Sequence, residues 1–129
     1  GIIMMGLDYS ALVVKRVGDK FELQQITCEK ADKEGTEKVN VLETLKPTSV
    51  DKIDYQPATH EAVYMRMVVK AGKMQFFFSK DGKKYEKVGE EFTMKEGKWI
   101  GAKLGFVAKE PAGKTNRGWI DVDWFRITK

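Results

Sequence analysis

The stretch that decides the fold is Tyr9-Ser10-Ala11-Leu12-Val13-Val14-Lys15-Arg16-Val17-Gly18-Asp19-Lys20-Phe21-Glu22-Leu23-Gln24-Gln25-Ile26-Thr27-Cys28. Two arms rich in β-branched and apolar residues flank Gly18-Asp19, and a glycine first in a two-residue loop suits a type II′ turn, whose twist matches that of paired strands. The reading predicts a hairpin of residues 9–17 with residues 20–28. That register sets Lys15 opposite Glu22, an opposite-charge pair. It also sets Val14 opposite Leu23, on the face that holds Leu12 and Phe21, so turn geometry and side-chain pattern give one answer.

Working outward, the same grammar repeats. Residues 62–70 and 74–79 form a second expected hairpin through Gly72-Lys73. Met65, Met67 and Val69 fall on one face with Phe76 and Phe78, which reads as core. Tyr64, Arg66 and Val68 fall on the other with Gln75 and Phe77, a mixed face. Asp81-Gly82 then makes a turn, since both residues tolerate positive φ, and leads into a strand at 84–88. Residues 38–42 read as another strand, residues 31–35 as a charged turn, and residues 46–59, with Pro47 and Pro57, as a long polar loop with a short strand near Ile53. The small residues Gly101, Ala102 and Gly105 within a strand at 99–108 point to a bulge or a close approach. A last strand is expected at 118–128. No helical period survives the interruptions, so about nine strands are expected in one domain, residues 1–129. The fold class is all-β: a two-sheet antiparallel sandwich of jelly-roll, lectin-like type.

The bulk properties restrict function. Hydrophobic residues at 42% and charged residues at 33% are a globular balance. The net charge of +4 is spread as lysines interleaved with acids, as in Lys87-Val88-Gly89-Glu90-Glu91, which is a solvated mixed surface and not a nucleic-acid footprint. No apolar run is long enough for a membrane span. Ile2-Ile3-Met4-Met5 stops at Gly6 without a basic leader and reads as a strand within a longer chain, not a signal peptide. The single cysteine, Cys28, reads as a small buried residue.

Candidate chemistry is sparse. Asp121 and Asp123, if on a strand, share a face roughly 7 Å apart, a spacing that glycoside hydrolysis or a hard cation such as calcium could use. Jelly-roll glucanases carry their acids as Glu-x-Asp-x-(x)-Glu, and this stretch has no glutamate, so backbone-bonding aspartates are the favoured reading. His60, the one histidine, sits in a polar loop without a nucleophile motif. Ser79-Lys80-Asp81-Gly82 is loosely similar to an Asp-box hairpin, and Asp81 is expected to cap its turn. No catalytic residue and no resident cofactor or metal is assigned. Tyr64, Arg66, Phe77, Tyr85, Trp99 and Trp119 are the candidates for contact with a carbohydrate or another domain, because flat rings cover sugar faces and apolar surface alike.

Four segments, Tyr64-Met65-Arg66-Met67-Val68-Val69, Phe76-Phe77-Phe78-Ser79-Lys80-Asp81-Gly82, Gly97-Lys98-Trp99-Ile100-Gly101-Ala102-Lys103-Leu104-Gly105 and Asp121-Val122-Asp123-Trp124-Phe125, occur in an order that resembles the C-terminal concanavalin A-like domain of glycoside hydrolase family 43, the β-xylosidase and α-arabinofuranosidase group. The opening Gly1-Ile2-Ile3-Met4-Met5-Gly6-Leu7-Asp8-Tyr9 also resembles that domain's interior. The resemblance implies a sandwich packed on a five-bladed catalytic propeller of the same parent chain, which acts on xylan- or arabinan-type polysaccharides. The alternative is an independent carbohydrate-binding module that holds an oligosaccharide on an aromatic face. A periplasmic or secreted location is expected over a cytoplasmic one.

Overall fold

A computed structural model describes residues 1–45, 62–98, 101–110 and 120–129. Eight strands form among them: β1 (Ile2–Met5), β2 (Tyr9–Val17), β3 (Lys20–Cys28), β4 (Glu37–Leu45), β5 (Tyr64–Lys70), β6 (Lys73–Ser79), β7 (Glu86–Thr93) and β8 (Lys103–Phe106). No described residue is helical. The strands make two antiparallel sheets, one of five in the order β4-β3-β2-β1-β8 and one of three in the order β5-β6-β7. This is the sandwich the alternation calls for.

The first hairpin has the expected register, with Lys15 opposite Glu22 and Val14 opposite Leu23, and Gly18 holds the positive φ (64°) that a type II′ turn asks of its first residue. The faces of the second hairpin are also as read, with Met67 opposite Phe76 and Arg66 opposite Phe77. Its turn is not. Lys70 pairs with Lys73, so the loop is Ala71-Gly72 and not Gly72-Lys73. Both loop residues have positive φ (48° and 76°), the signature of a type I′ turn, which also twists with the strands. Strand pairing up to Lys73 therefore outweighs the strain at Ala71, where a Cβ disfavours the left-handed region by about 1–2 kcal/mol. Ala71→Asn would create the preferred Asn-Gly loop, and we expect it to raise stability by about 0.5–1 kcal/mol in urea unfolding.

Elsewhere β4 and β7 run longer than the pattern suggests, β5 begins at Tyr64, and the strand expected at 99–108 contracts to β8 among the described residues. Gly105 lies in ordinary van der Waals contact with Ile3, at 3.9 Å from where its Cβ would be. The strand expected at 118–128 is corrected: residues 120–129 carry no strand assignment. The alternation there is real, but a ladder also needs a neighbour at the right distance, which alternation does not encode. The segment lays its rings against the strands instead. Trp124 faces Tyr64 of β5, and Phe125 meets Phe106 of β8 edge-on, with ring centres 5.3 Å apart.

The core lies between the sheets. Met4, Leu12, Phe21, Leu23 and Leu45 of the larger sheet meet Met74, Phe76, Phe78 and Phe92 of the smaller one. Leu12, Leu23 and Phe76 are fully buried. A register shift between Leu23 and Gln24 leaves Leu42 as the extra residue of β4, and Leu42 packs against the core. Cys28 is buried at the end of β3.

A second irregularity joins the layers. The β6–β7 register shifts between Met74 and Phe76, and Gly89 bulges with φ +67°. A bulge frees backbone groups from the ladder, and two glutamines take them up. Gln25, reaching from β3 of the other sheet, accepts from the Glu90 N–H (2.8 Å) and donates to the Glu90 carbonyl (2.9 Å). Gln75 of β6 donates to the Val88 carbonyl at 2.8 Å. Both side chains are buried, so these bonds are made where an unpaired amide is expensive.

Candidate functional site

The mixed face of the second hairpin is the outer surface of the smaller sheet. It is built around the turn between β6 and β7. Ser79 Oγ accepts the Gly82 N–H (3.0 Å) and donates to Asp81 Oδ1 (2.9 Å), while Asp81 Oδ1 also accepts the N–H groups of Lys83 (2.8 Å) and Lys84 (2.9 Å). Those two backbone donors, with Ser79, hold the Asp81 carboxyl below the usual aspartate range. Asp81 is therefore the turn cap that its dipeptide suggests. The capped turn presents Gly82 to the ring of Tyr64, so close that a Cβ at Gly82 would come within 2.9 Å of it. It also delivers Tyr85, over which the Arg66 guanidinium stacks at 3.8 Å from the ring centre. Arg66 pairs across β5–β6 with Phe77, which pairs across β6–β7 with Lys87. Trp124 extends the row, its ring centre 6.4 Å from that of Tyr64, with the Arg126 guanidinium 6.0 Å from the Trp124 ring.

Four of the six residues singled out from sequence, Tyr64, Arg66, Phe77 and Tyr85, thus stand on one surface. Trp99 and Trp119, like His60, lie outside the described residues. Trp124 was not among the candidates, although a signal for it existed. Consecutive Trp124 and Phe125 on a β-like segment point to opposite sides, so one of them must leave any core that holds the other.

Asp121 and Asp123 do not show, among the described residues, the backbone hydrogen bonds favoured for them. Both are exposed, they lie on no strand, and neither has a hydrogen bond or ion pair to a described residue. The same-face spacing presumed a ladder that does not form there. Among the described residues no three His, Cys, Asp or Glu side chains group as metal ligands.

A polar recess of about 270 Å³ opens where β3 and β4 meet the end of β7, lined in part by Asp8, Gln25, Thr27, Asn40, Glu91 and Lys95. Its buried acid is already engaged. Asp8 accepts the Lys30 N–H at 2.7 Å and pairs with Lys95 Nζ at 2.6 Å. Burial pushes its carboxyl up, but the Lys95 ammonium and the Lys30 N–H outweigh that and hold it below the ordinary range near 3.9. A carboxyl with a lowered folded-state pKa contributes stability above its unfolded pKa and loses it as pH falls through the folded value. We therefore expect the urea midpoint of the protein to decline below about pH 4, and the Asp8→Asn variant to be less stable at pH 7 with a flatter acid profile.

Two facing antiparallel sheets of five and three strands, with a capped hairpin and an aromatic outer surface, define a concanavalin A-like sandwich. A family model described as the beta xylosidase C-terminal concanavalin A-like domain matches residues 1–128, and the chain belongs to that family. A curated relative, the Beta-xylosidase of Formosa agariphila, is 36% identical over 63 residues, 49% of this chain but 10% of the relative's length. The chain thus aligns with only about a tenth of that protein. No solved structure matches the chain.

Proposed function

We propose that this domain is a non-catalytic accessory sandwich of a family 43 glycoside hydrolase acting on xylan- or arabinan-type polysaccharides, and that it packs on the catalytic propeller of its parent chain and stabilises it. The observation that carries this reading is the uneven size of the two sheets. Leu104 and Phe106 of β8 pair with Met4 and Ile2, so they stand on the core side of the larger sheet. Yet they are 41% and 48% exposed, with only three strands in the facing sheet among the described residues. Phe125, over Phe106, is itself 53% exposed, and Ile127, two residues on, is exposed too. A contiguous apolar strip of this kind marks a protein contact, and covering each large side chain is worth about 1 kcal/mol or more.

The test is association of this chain with a family 43 propeller domain, followed by calorimetry and by the propeller's melting temperature. Complex formation that raises that temperature, and that is lost in a Phe106→Asp, Phe125→Asp variant with an unchanged circular dichroism spectrum, supports the reading. Absence of a complex at high micromolar concentration counts against it. A second reading, a carbohydrate-binding module, draws on a different observation: the Tyr64, Arg66, Phe77, Tyr85 and Trp124 surface, which faces away from the β8 strip.

A further inference from the structure

We propose that the outer face of the smaller sheet is a binding surface for acidic oligosaccharide, a glycan carrying uronic acid carboxylates. This deepens the carbohydrate-binding reading above and rests on it. The argument is one of charge and shape together. The side chains on that face are Tyr64, Arg66, Val68 and Lys70 of β5, Lys73, Gln75 and Phe77 of β6, and Glu91, Thr93 and Lys87 of β7.

Its one acid among these, Glu91, is bound by Lys73 at 2.7 Å. Arg66 and Lys70 have no acidic partner among the described residues, and Lys87 touches Glu91 only through its longer-range field. Of the acids next to the face, Glu86 pairs with Lys84 at 3.1 Å, Glu43 with Lys80, and Asp81 with the backbone of its own turn. Among the described residues the face is therefore cationic, although the lysines and acids of the chain are well mixed overall. Unpaired cations beside a low-dielectric surface attract carboxylates from solution.

The cations are interleaved with rings. The Arg66 guanidinium carbon sits 3.8 Å over the centre of the Tyr85 ring on a side chain that is exposed, and a guanidinium held in place beside solvent suits bidentate contact with a carboxylate. Phe77 adjoins Arg66 across the ladder, and Tyr64 with Trp124 extends the apolar row. Rings supply the flat contact that a pyranose face needs. A neutral xylan chain would use the rings and leave the cations idle, whereas a uronic acid substituent uses both.

The experiment is calorimetric titration of the whole chain with a xylo-oligosaccharide bearing two glucuronic acids, with the neutral oligosaccharide of the same length, and with a glutamate oligomer of equal charge. The expected result is binding of the acidic sugar at least about tenfold tighter than either control at low salt, weakened severalfold by 0.5 M salt as screening predicts. Arg66→Gln is expected to abolish that preference, and Tyr85→Ala to weaken it, each with an unchanged far-ultraviolet spectrum. Equal affinity for acidic and neutral sugars overturns the charge assignment while leaving a sugar-binding surface. Equal affinity for the glutamate oligomer overturns the sugar. Silence toward all three overturns the proposal, and the propeller-association assay then reads the accessory role by itself.

Discussion

Gly89→Ala is expected to cost roughly 2–5 kcal/mol of stability, summed from left-handed strain of about 1–2 kcal/mol and loss of buried hydrogen bonds worth about 1–3 kcal/mol. Gly89 sits at φ +67°, where any Cβ is strained. The new methyl would also lie 2.3 Å from Gln25 Oε1, closer than any real contact. Gln25 must then withdraw, and with it go both bonds to Glu90. The bulge loses its conformation and its partner in one step. Differential scanning calorimetry should show a fall in melting temperature of about 10 °C. A change under about 2 °C would mean that the bulge refolds into a regular ladder at little cost.

Gln25→Leu, the second large effect, reaches the same site from the opposite sheet. The side chain is 3% exposed and makes three bonds, two to Glu90 and one donated to Ser10 Oγ at 3.2 Å. Leucine is one bond shorter and leaves the Glu90 N–H and carbonyl facing an apolar group. Unpaired buried donors and acceptors cost about 1–3 kcal/mol each, partly offset by the apolar gain. We expect a net loss of about 2–4 kcal/mol in urea unfolding. The two lesions should not add. With Gln25 already replaced by Ala, the clash at Gly89 disappears, so Gly89→Ala should cost only its backbone strain. A double-mutant cycle reads this as a coupling of 1 kcal/mol or more. Strict additivity would show that Gln25 and the bulge are independent.

These two residues also mark where sequence reasoning stops. The first hairpin was legible because its information is local: Gly18 selects the turn, the turn selects the register, and Leu12, Val14, Phe21 and Leu23 agree on the face. The Gln25–Glu90 clamp spans 65 residues, and nothing in the alternation of either strand announces it. Gln25 even shares the inward parity of Leu23, so by pattern it is a polar residue in an apolar place, explained only by a bulge in another sheet. The Ala71-Gly72 turn was missed by one residue for a related reason, since alternation alone does not reveal that an alanine accepts positive φ. The candidate surface was legible in its strand members, Tyr64, Arg66 and Phe77, whose shared face follows from period two. Tyr85 joined them as an aromatic, and its contact with Arg66 depends on the capped turn. Trp124 comes from a segment expected to be a strand. There the sequence overstates order, because Ile120, Val122 and Trp124 alternate as a strand should while no ladder partner is present among the described residues. The same mismatch between apolar pattern and cover, at Leu104, Phe106 and Phe125, is what the proposed domain contact rests on.

The claim on which the account turns is that this domain leaves glycosidic chemistry to another part of its parent. The most direct measurement is the rate at which the chain by itself hydrolyses nitrophenyl β-xyloside and α-arabinofuranoside, run beside its Asp123→Asn variant. Both proteins are expected to match the buffer blank. Turnover by the unmodified chain that disappears on Asp123→Asn would contradict it.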